Sequence, residues 1–125
     1  MSWRTTRAAA RLAEANRQVA VIDLGSNSWR LVVFTFGGLA GTRSWWKRTD
    51  ELYETVRIGQ GMGATGRLSE EAISRGLETL TVFDHFLAAG EIGPGSVHAV
   101  ATSAIRDATN REEWTCAVLG RTDGT

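Results

Sequence analysis

The chain has 125 residues, 42% of them hydrophobic, with 14 basic residues balanced by 14 acidic ones for a formal net charge of zero. That length is near the commonest for a single domain and gives one core, not two, while the neutral balance offers no argument for nucleic acid as an obligate partner. The single cysteine, Cys116, cannot close an internal disulfide, and no apolar run reaches membrane or secretory-signal length, so no membrane partner is expected and a reducing cytoplasm is favoured.

Residues 1–18 carry Arg4, Arg7, Arg11 and Arg17 among alanines, with Glu14 the only acid. An organelle transit peptide has such a composition. A solvated basic extension, with Arg4, Arg7 and Arg11 on one helical face, has it too and is the expectation here.

Residues 19–36, VAVIDLGSNSWRLVVFTF, read as two strands joined by a tight turn. Val19, Ala20, Val21 and Ile22 are apolar at successive positions, which predicts a strand covered on both faces. Asp23 ends that run, and a carboxylate beside a dry core needs a cation or hydrogen bonds to compensate it. Gly25, Ser26, Asn27 and Ser28 then combine a permissive backbone with hydroxyl and amide donors. Such a turn can hold phosphate. It can equally be a hairpin in which Asp23 and Asn27 make side-chain turns for local reasons.

Gly37 and Gly38 break the second strand, Gly41 follows shortly, and residues 42–58 read as one or two more strands. Leu52, Val56 and Ile58 share one parity there, and Tyr53, Thr55 and Arg57 the other, as in a half-buried strand. Trp45 and Trp46 point to opposite faces of a strand. The expectation is one core indole and one at an edge or partner surface, with base stacking as the alternative.

Residues 59–66, GQGMGATG, contain a formal GxGxxG between a strand and a helix. The dinucleotide reading fails twice: the helix cap, Ser69, comes three residues after the last glycine, and the next strand ends without the acid that would hold a ribose. The helix itself is well signalled. Ser69 caps it, Glu70 and Glu71 oppose the dipole, Leu68 can staple onto Ile73, and Gly90 stops it. Ile73, Leu77, Leu80, Phe83 and Leu87 make its apolar face, which leaves His85 at the surface or its boundary.

Gly93, Pro94 and Gly95 turn the chain into a fourth strand, residues 97–101, which a helical crossover allows to run parallel to a strand of the meander. Thr102, Ser103 and Arg106 follow at its carboxyl end, where open α/β sheets bind ligands. Two hydroxyls and a guanidinium suit phosphate oxygens. Capping by the hydroxyls and an Arg106–Asp107 ion pair would explain the same residues. Asn110 with Glu113 reads as a capping box for a helix near Arg111, and from Thr115 no helical face is sustained.

Three separated segments, DLGSNSWRL at 23–31, ETVRIGQGMGATGRLSEEAI at 54–73 and VATSAIRDATNREEW at 100–114, resemble in order and spacing the exopolyphosphatase and guanosine pentaphosphate phosphohydrolase (Ppx/GppA) family. The resemblance implies an actin-like fold of two ribonuclease H-like domains, of which residues 19–114 would be most of the first: α/β, an antiparallel three-strand meander plus a parallel strand with its covering helix. It implies hydrolysis of the terminal phosphoanhydride of polyphosphate, or of the 5′ phosphate of guanosine pentaphosphate, with Mg2+. Asp23 would then serve the metal, Gly25, Ser26, Asn27 and Ser28 would hold phosphate, Arg30 would reach another phosphate, and Thr102, Ser103 and Arg106 would border the cleft. A full-length form is a candidate homodimer.

Two family features are missing from the sequence: a segment resembling SGEEEAR, which carries the water-activating glutamate, and a second loop resembling DIGGGSTE. The chain alone is therefore expected to lack turnover, as the N-terminal portion of a hydrolase. A non-catalytic phosphate-binding or protein-interaction module is the alternative. The divergent residues 115–125 suggest a truncated or frame-shifted reading, or an authentic short paralogue.

Overall fold

The computed structural model describes residues 17–38, 43–101 and 103–114. They form a sheet of four strands, β1 (Arg17–Leu24), β2 (Ser28–Gly37), β3 (Trp45–Thr55) and β4 (Val97–Ala101), in the order β3-β2-β1-β4. β1–β2 and β2–β3 are antiparallel, and β4 is parallel to β1. This is the meander with an added parallel strand that the sequence predicts. A short helix α1 (Met62–Thr65) and a long helix α2 (Glu70–Ala89) make the crossover to β4, and α3 (Ser103–Asp107) follows it. Residues 111–114 are also helical.

α2 begins and ends where its local chemistry says it should. Ser69 Oγ accepts the Ala72 amide at 3.1 Å, Glu70 and Glu71 lie in the first turn, and the Gly90 amide donates back to Phe86. Phe83 and Leu87 are buried, with Ile73, Leu77 and Leu80 partly buried against the same core. The centre of the covered face is Gly76. A Cβ there would lie 2.7 Å from Trp29 Cη2 and 3.0 Å from Trp114 Cζ3, so the helix approaches the two indoles at a distance that only glycine allows. Those indoles meet edge to face, 5.3 Å apart.

Three expectations need correcting. Among the described residues only one face of β1 is covered: Ala20, Ile22 and Leu24 are buried, but Val19 and Val21 are half-buried and Asp23 is exposed. The strand's other face, with Val32, Phe34 and the exposed Val100 and Tyr53, has no covering element among the described residues. The reason is that α2 provides a layer on one side only. Neither Trp45 nor Trp46 enters the core, being 42% and 72% exposed at the end of an edge strand, although Trp46 makes an edge-on contact with Phe34 at 6.0 Å. Finally, Asn110 does not use its side-chain oxygen to cap the following helix. That oxygen accepts the Leu68 amide at 2.7 Å, while Nδ2 donates to Leu68 O at 2.9 Å and to Glu113 Oε2 at 3.1 Å.

Asn110 therefore acts as a buried clasp between the approach to α2 and the chain after α3. Asn110→Ala would strand both backbone groups of the buried Leu68 and is expected to cost about 1–3 kcal/mol, read as a lower urea midpoint. Glu113 extends the clasp to Arg67, with Nη2 at 3.0 Å. The Asn110 hydrogen bond, then Arg67, holds its carboxyl below the usual glutamate range. Its stabilising effect is therefore present above that range and is lost as the pH falls through the depressed value.

Candidate functional site

The turn between β1 and β2 is fixed from behind. Gly25 N donates to Ser28 O at 3.2 Å, and a Cβ on Gly25 would lie 2.7 Å from that same oxygen, so the turn needs glycine. Trp29 Nε1 donates to Gly25 O at 3.1 Å. Ser26 O accepts from Gly59 N at 3.4 Å, and Asn27 O accepts from Val56 N and Arg57 N at 2.9 and 2.8 Å. All four carbonyls from Gly25 to Ser28 are thus occupied by protein donors. Among the described residues, the amides of Ser26 and Asn27 have no protein acceptor. A turn with its carbonyls tied down and its amides left open is suited to an anion.

The side chains around it divide into free and engaged groups. Asp23 is exposed on the uncovered face, with Arg30 of β2 and Val100 of β4 as its ladder neighbours. Arg30 therefore shares a face with Asp23, but its guanidinium is already engaged: Nε lies 3.0 Å from Glu51 Oε1, and the group lies 5.5 Å from the centre of the Tyr53 ring. Arg48 reaches the same carboxylate at 3.5 Å. The Ser28 hydroxyl is hydrogen-bonded to the Tyr53 hydroxyl at 2.7 Å.

Because Leu24 pairs with Ala101 in the parallel ladder, the turn and the start of α3 leave the sheet at the same end. Gly59 lies between them, where a Cβ would meet Ala104 Cβ at 3.4 Å and Ser26 O at 3.8 Å. Thr102 lies outside the described residues, and Ser103 opens α3. Arg106 is exposed near the end of α3. Its carbonyl accepts from Arg111 Nη1 at 3.1 Å, and no ion pair of its guanidinium occurs among the described residues, with Asp107 included. The formal GxGxxG forms the four-residue α1, bounded by left-handed Gly61 and Gly66, and α2 opens only after Ser69. That is not a dinucleotide turn.

No three His, Cys, Asp or Glu side chains converge as a metal cage among the described residues. Magnesium does not need one. It keeps several waters and is commonly held by one or two carboxylates plus substrate phosphates, and an exposed Asp23 beside open amides is compatible with that mode.

Two contributors were not singled out from the sequence: Trp29, which ties Gly25 to the core, and Arg75 of α2, which donates to the loop after β3. Neither contact follows a local spacing. Only the adjacency of Trp29 to the turn could have signalled it.

Residues 48–123 match the Ppx/GppA phosphatase family. The chain is 41% identical over 113 residues to Exopolyphosphatase 2 of Mycobacterium tuberculosis, covering 82% of this chain and 32% of that protein. A Ppx/GppA family member from Aquifex aeolicus superposes with a TM-score of 0.69 at 31% identity, covering 79% of this chain and 30% of that one. An exopolyphosphatase from Cytophaga hutchinsonii gives 0.65 at 28% identity, with 78% and 29% covered. The chain spans about a third of the length of the curated relatives it matches. Its sheet and covering helix are the N-terminal part of the actin-like fold of these proteins.

Proposed function

Because the chain belongs to the Ppx/GppA phosphatase family, we propose that it forms the phosphate-holding part of a hydrolase that removes the terminal phosphate of inorganic polyphosphate. The observation that carries this reading is the turn whose four carbonyls are held by the protein while the Ser26 and Asn27 amides stay open. Those amides bind the phosphate oxygens, and the Ser28 hydroxyl, oriented by Tyr53, adds a donor or acceptor. Asp23 holds Mg2+ directly or through water, together with the phosphate. Magnesium, when bound, offsets the negative charge on the bridging and terminal oxygens.

Arg106 is exposed at this end of the sheet with no ion pair among the described residues, and Thr102 and Ser103 stand beside it in sequence. Arg30 can join by leaving Glu51. An exposed pair of this kind is worth only about 0–1 kcal/mol, less than a charge-assisted hydrogen bond to phosphate. Guanosine pentaphosphate, with the same anhydride chemistry, is the second substrate candidate, and a reducing cytoplasm is the proposed setting.

The sequence carries no segment resembling the water-activating SGEEEAR. The chain alone is expected to bind inorganic tripolyphosphate with magnesium yet turn over long-chain polyphosphate at least about 100-fold more slowly than a full-length family member, since general-base loss commonly costs about two to four orders of magnitude. Calorimetric titration and phosphate release check the two halves. Absence of binding refutes phosphate holding; turnover at an enzymatic rate, abolished by Asp23→Ala, refutes the need for the missing carboxylate. A protein-interaction role draws on a separate observation, the uncovered face bearing Val19, Val21, Val32, Phe34 and Val100. It is the reading left standing if no phosphate compound binds.

A further inference from the structure

The geometry points to Arg75 as a positioning residue that holds the 25–28 turn in its anion-binding shape from one layer behind it. The inference rests on the phosphate reading of that turn and assigns Arg75 no contact with substrate.

Arg75 belongs to α2, on the far side of the loop that follows β3. Its Nε donates to Val56 O at 2.9 Å, and its Nη2 donates to Arg57 O and to Gln60 Oε1, both at 3.1 Å. None of the ion pairs among the described residues involves Arg75. An uncancelled guanidinium is thus spent on two main-chain carbonyls and one amide oxygen. The planar fork of arginine can bridge these acceptors at fixed angles, which a lysine ammonium cannot do.

The peptide groups then line up. The Val56–Arg57 peptide accepts from Arg75 through its oxygen and donates through its N–H to Asn27 O at 2.8 Å. Asn27 O belongs in turn to the peptide whose N–H is that of Ser28. Each bond in such a chain polarises the next, so the positive charge is felt toward the turn. Val56 N and Gly59 N, from the same loop, complete the hold on Asn27 O and Ser26 O.

Arg57 shows that the loop is held and not merely relaxed into place. It is a non-glycine residue at φ 53°, a left-handed conformation that persists only where its surroundings over-determine it. Its N–H is fixed by Asn27 O, and its carbonyl accepts from both Arg75 Nη2 and the Gln60 amide, so the strained residue is held on each side. Removing Arg75 leaves that carbonyl to the Gln60 amide alone and takes the side-chain donor from Val56 O.

The test compares the unsubstituted chain with Arg75→Met, which keeps an apolar stem of similar length, and Arg75→Lys, which keeps the charge without the fork. Backbone amide exchange is followed at Val56, Arg57 and Gly59, with α2 amides near Phe83 as the control for global unfolding. Affinity for inorganic tripolyphosphate with magnesium is measured in parallel. In Arg75→Met the three loop amides are expected to lose protection while the α2 amides keep it, the Arg57 amide proton to move upfield, and affinity to fall roughly 10–100-fold, the range known for residues that orient ligands from one layer back.

Arg75→Lys is expected to recover less than half of either loss. Full recovery by lysine, or unchanged protection and affinity in Arg75→Met, would overturn the assignment. If Arg75→Met unfolds, Arg75→Lys decides by the same criteria. If the unsubstituted chain binds no tripolyphosphate, the phosphate reading fails, and exchange alone then decides whether Arg75 holds the turn.

Discussion

Trp29→Ala is expected to lower the unfolding free energy by about 3–5 kcal/mol, the usual cost of emptying a large buried aromatic site. Trp29 is fully buried. Its ring fills the space that Gly76 leaves on α2, meets Trp114 edge to face at 5.3 Å, and its Nε1 holds Gly25 O. Total stability in a domain of this size is about 5–15 kcal/mol, so such a loss is a large part of it. Trp29→Phe should separate the parts: much of the apolar burial survives, whereas the hydrogen bond to Gly25 O, worth about 1 kcal/mol, does not. Urea unfolding followed by helical circular dichroism measures both. A Trp29→Ala cost below about 1 kcal/mol would mean that sheet and helix are not joined through this indole.

Asp23→Asn is expected to act in the opposite way, on ligand and not on fold. Asp23 is exposed, so the substitution should change stability by no more than about 0.5 kcal/mol. Asparagine keeps the size and the turn preference but removes the charge that a hard cation requires. Residues one shell removed from a metal commonly cost about 10–100-fold in metal affinity, so loss of the carboxylate itself should weaken magnesium-dependent tripolyphosphate binding by at least about 10-fold. Titration at fixed tripolyphosphate and varied magnesium reads this directly. A variant with unaltered magnesium dependence would return Asp23 to a turn-forming role.

What the sequence shows plainly are features set by neighbours along the chain. Ser69 and Gly90 bound α2 because their effects act on amides within one helical turn, and the strand that carries Asp23 is visible as an apolar run. A parallel fourth strand is allowed by the helix placed between strands, but its pairing with β1 comes from the structure. The turn at 25–28 is legible as permissive and polar, but its open amides are not, because the donors that occupy three of its four carbonyls come from residues 56–59 and from the Trp29 ring.

Arg30 illustrates the same limit. Its place opposite Asp23 follows from the hairpin, but its capture by Glu51 depends on the β2–β3 register, which shifts at Val33/Phe34. The uncovered face of β1 is hidden for another reason. A run of apolar residues has no alternation to show which side is covered, and the answer lies in how many layers the chain supplies. The positive φ of Arg57 leaves no trace in residue type at all.

The most direct measurement is an amide-resolved NMR titration of the whole chain with inorganic tripolyphosphate and magnesium. The turn predicts saturable shifts that are largest at the Ser26 and Asn27 amides, with smaller changes at Gly25, Ser28 and the Arg106 side chain, and it predicts that Asp23→Asn suppresses them. Shifts confined to another surface, such as the N-terminal turn of α2 at Ser69 to Glu71, or the absence of any saturable change at Ser26 and Asn27, would contradict it.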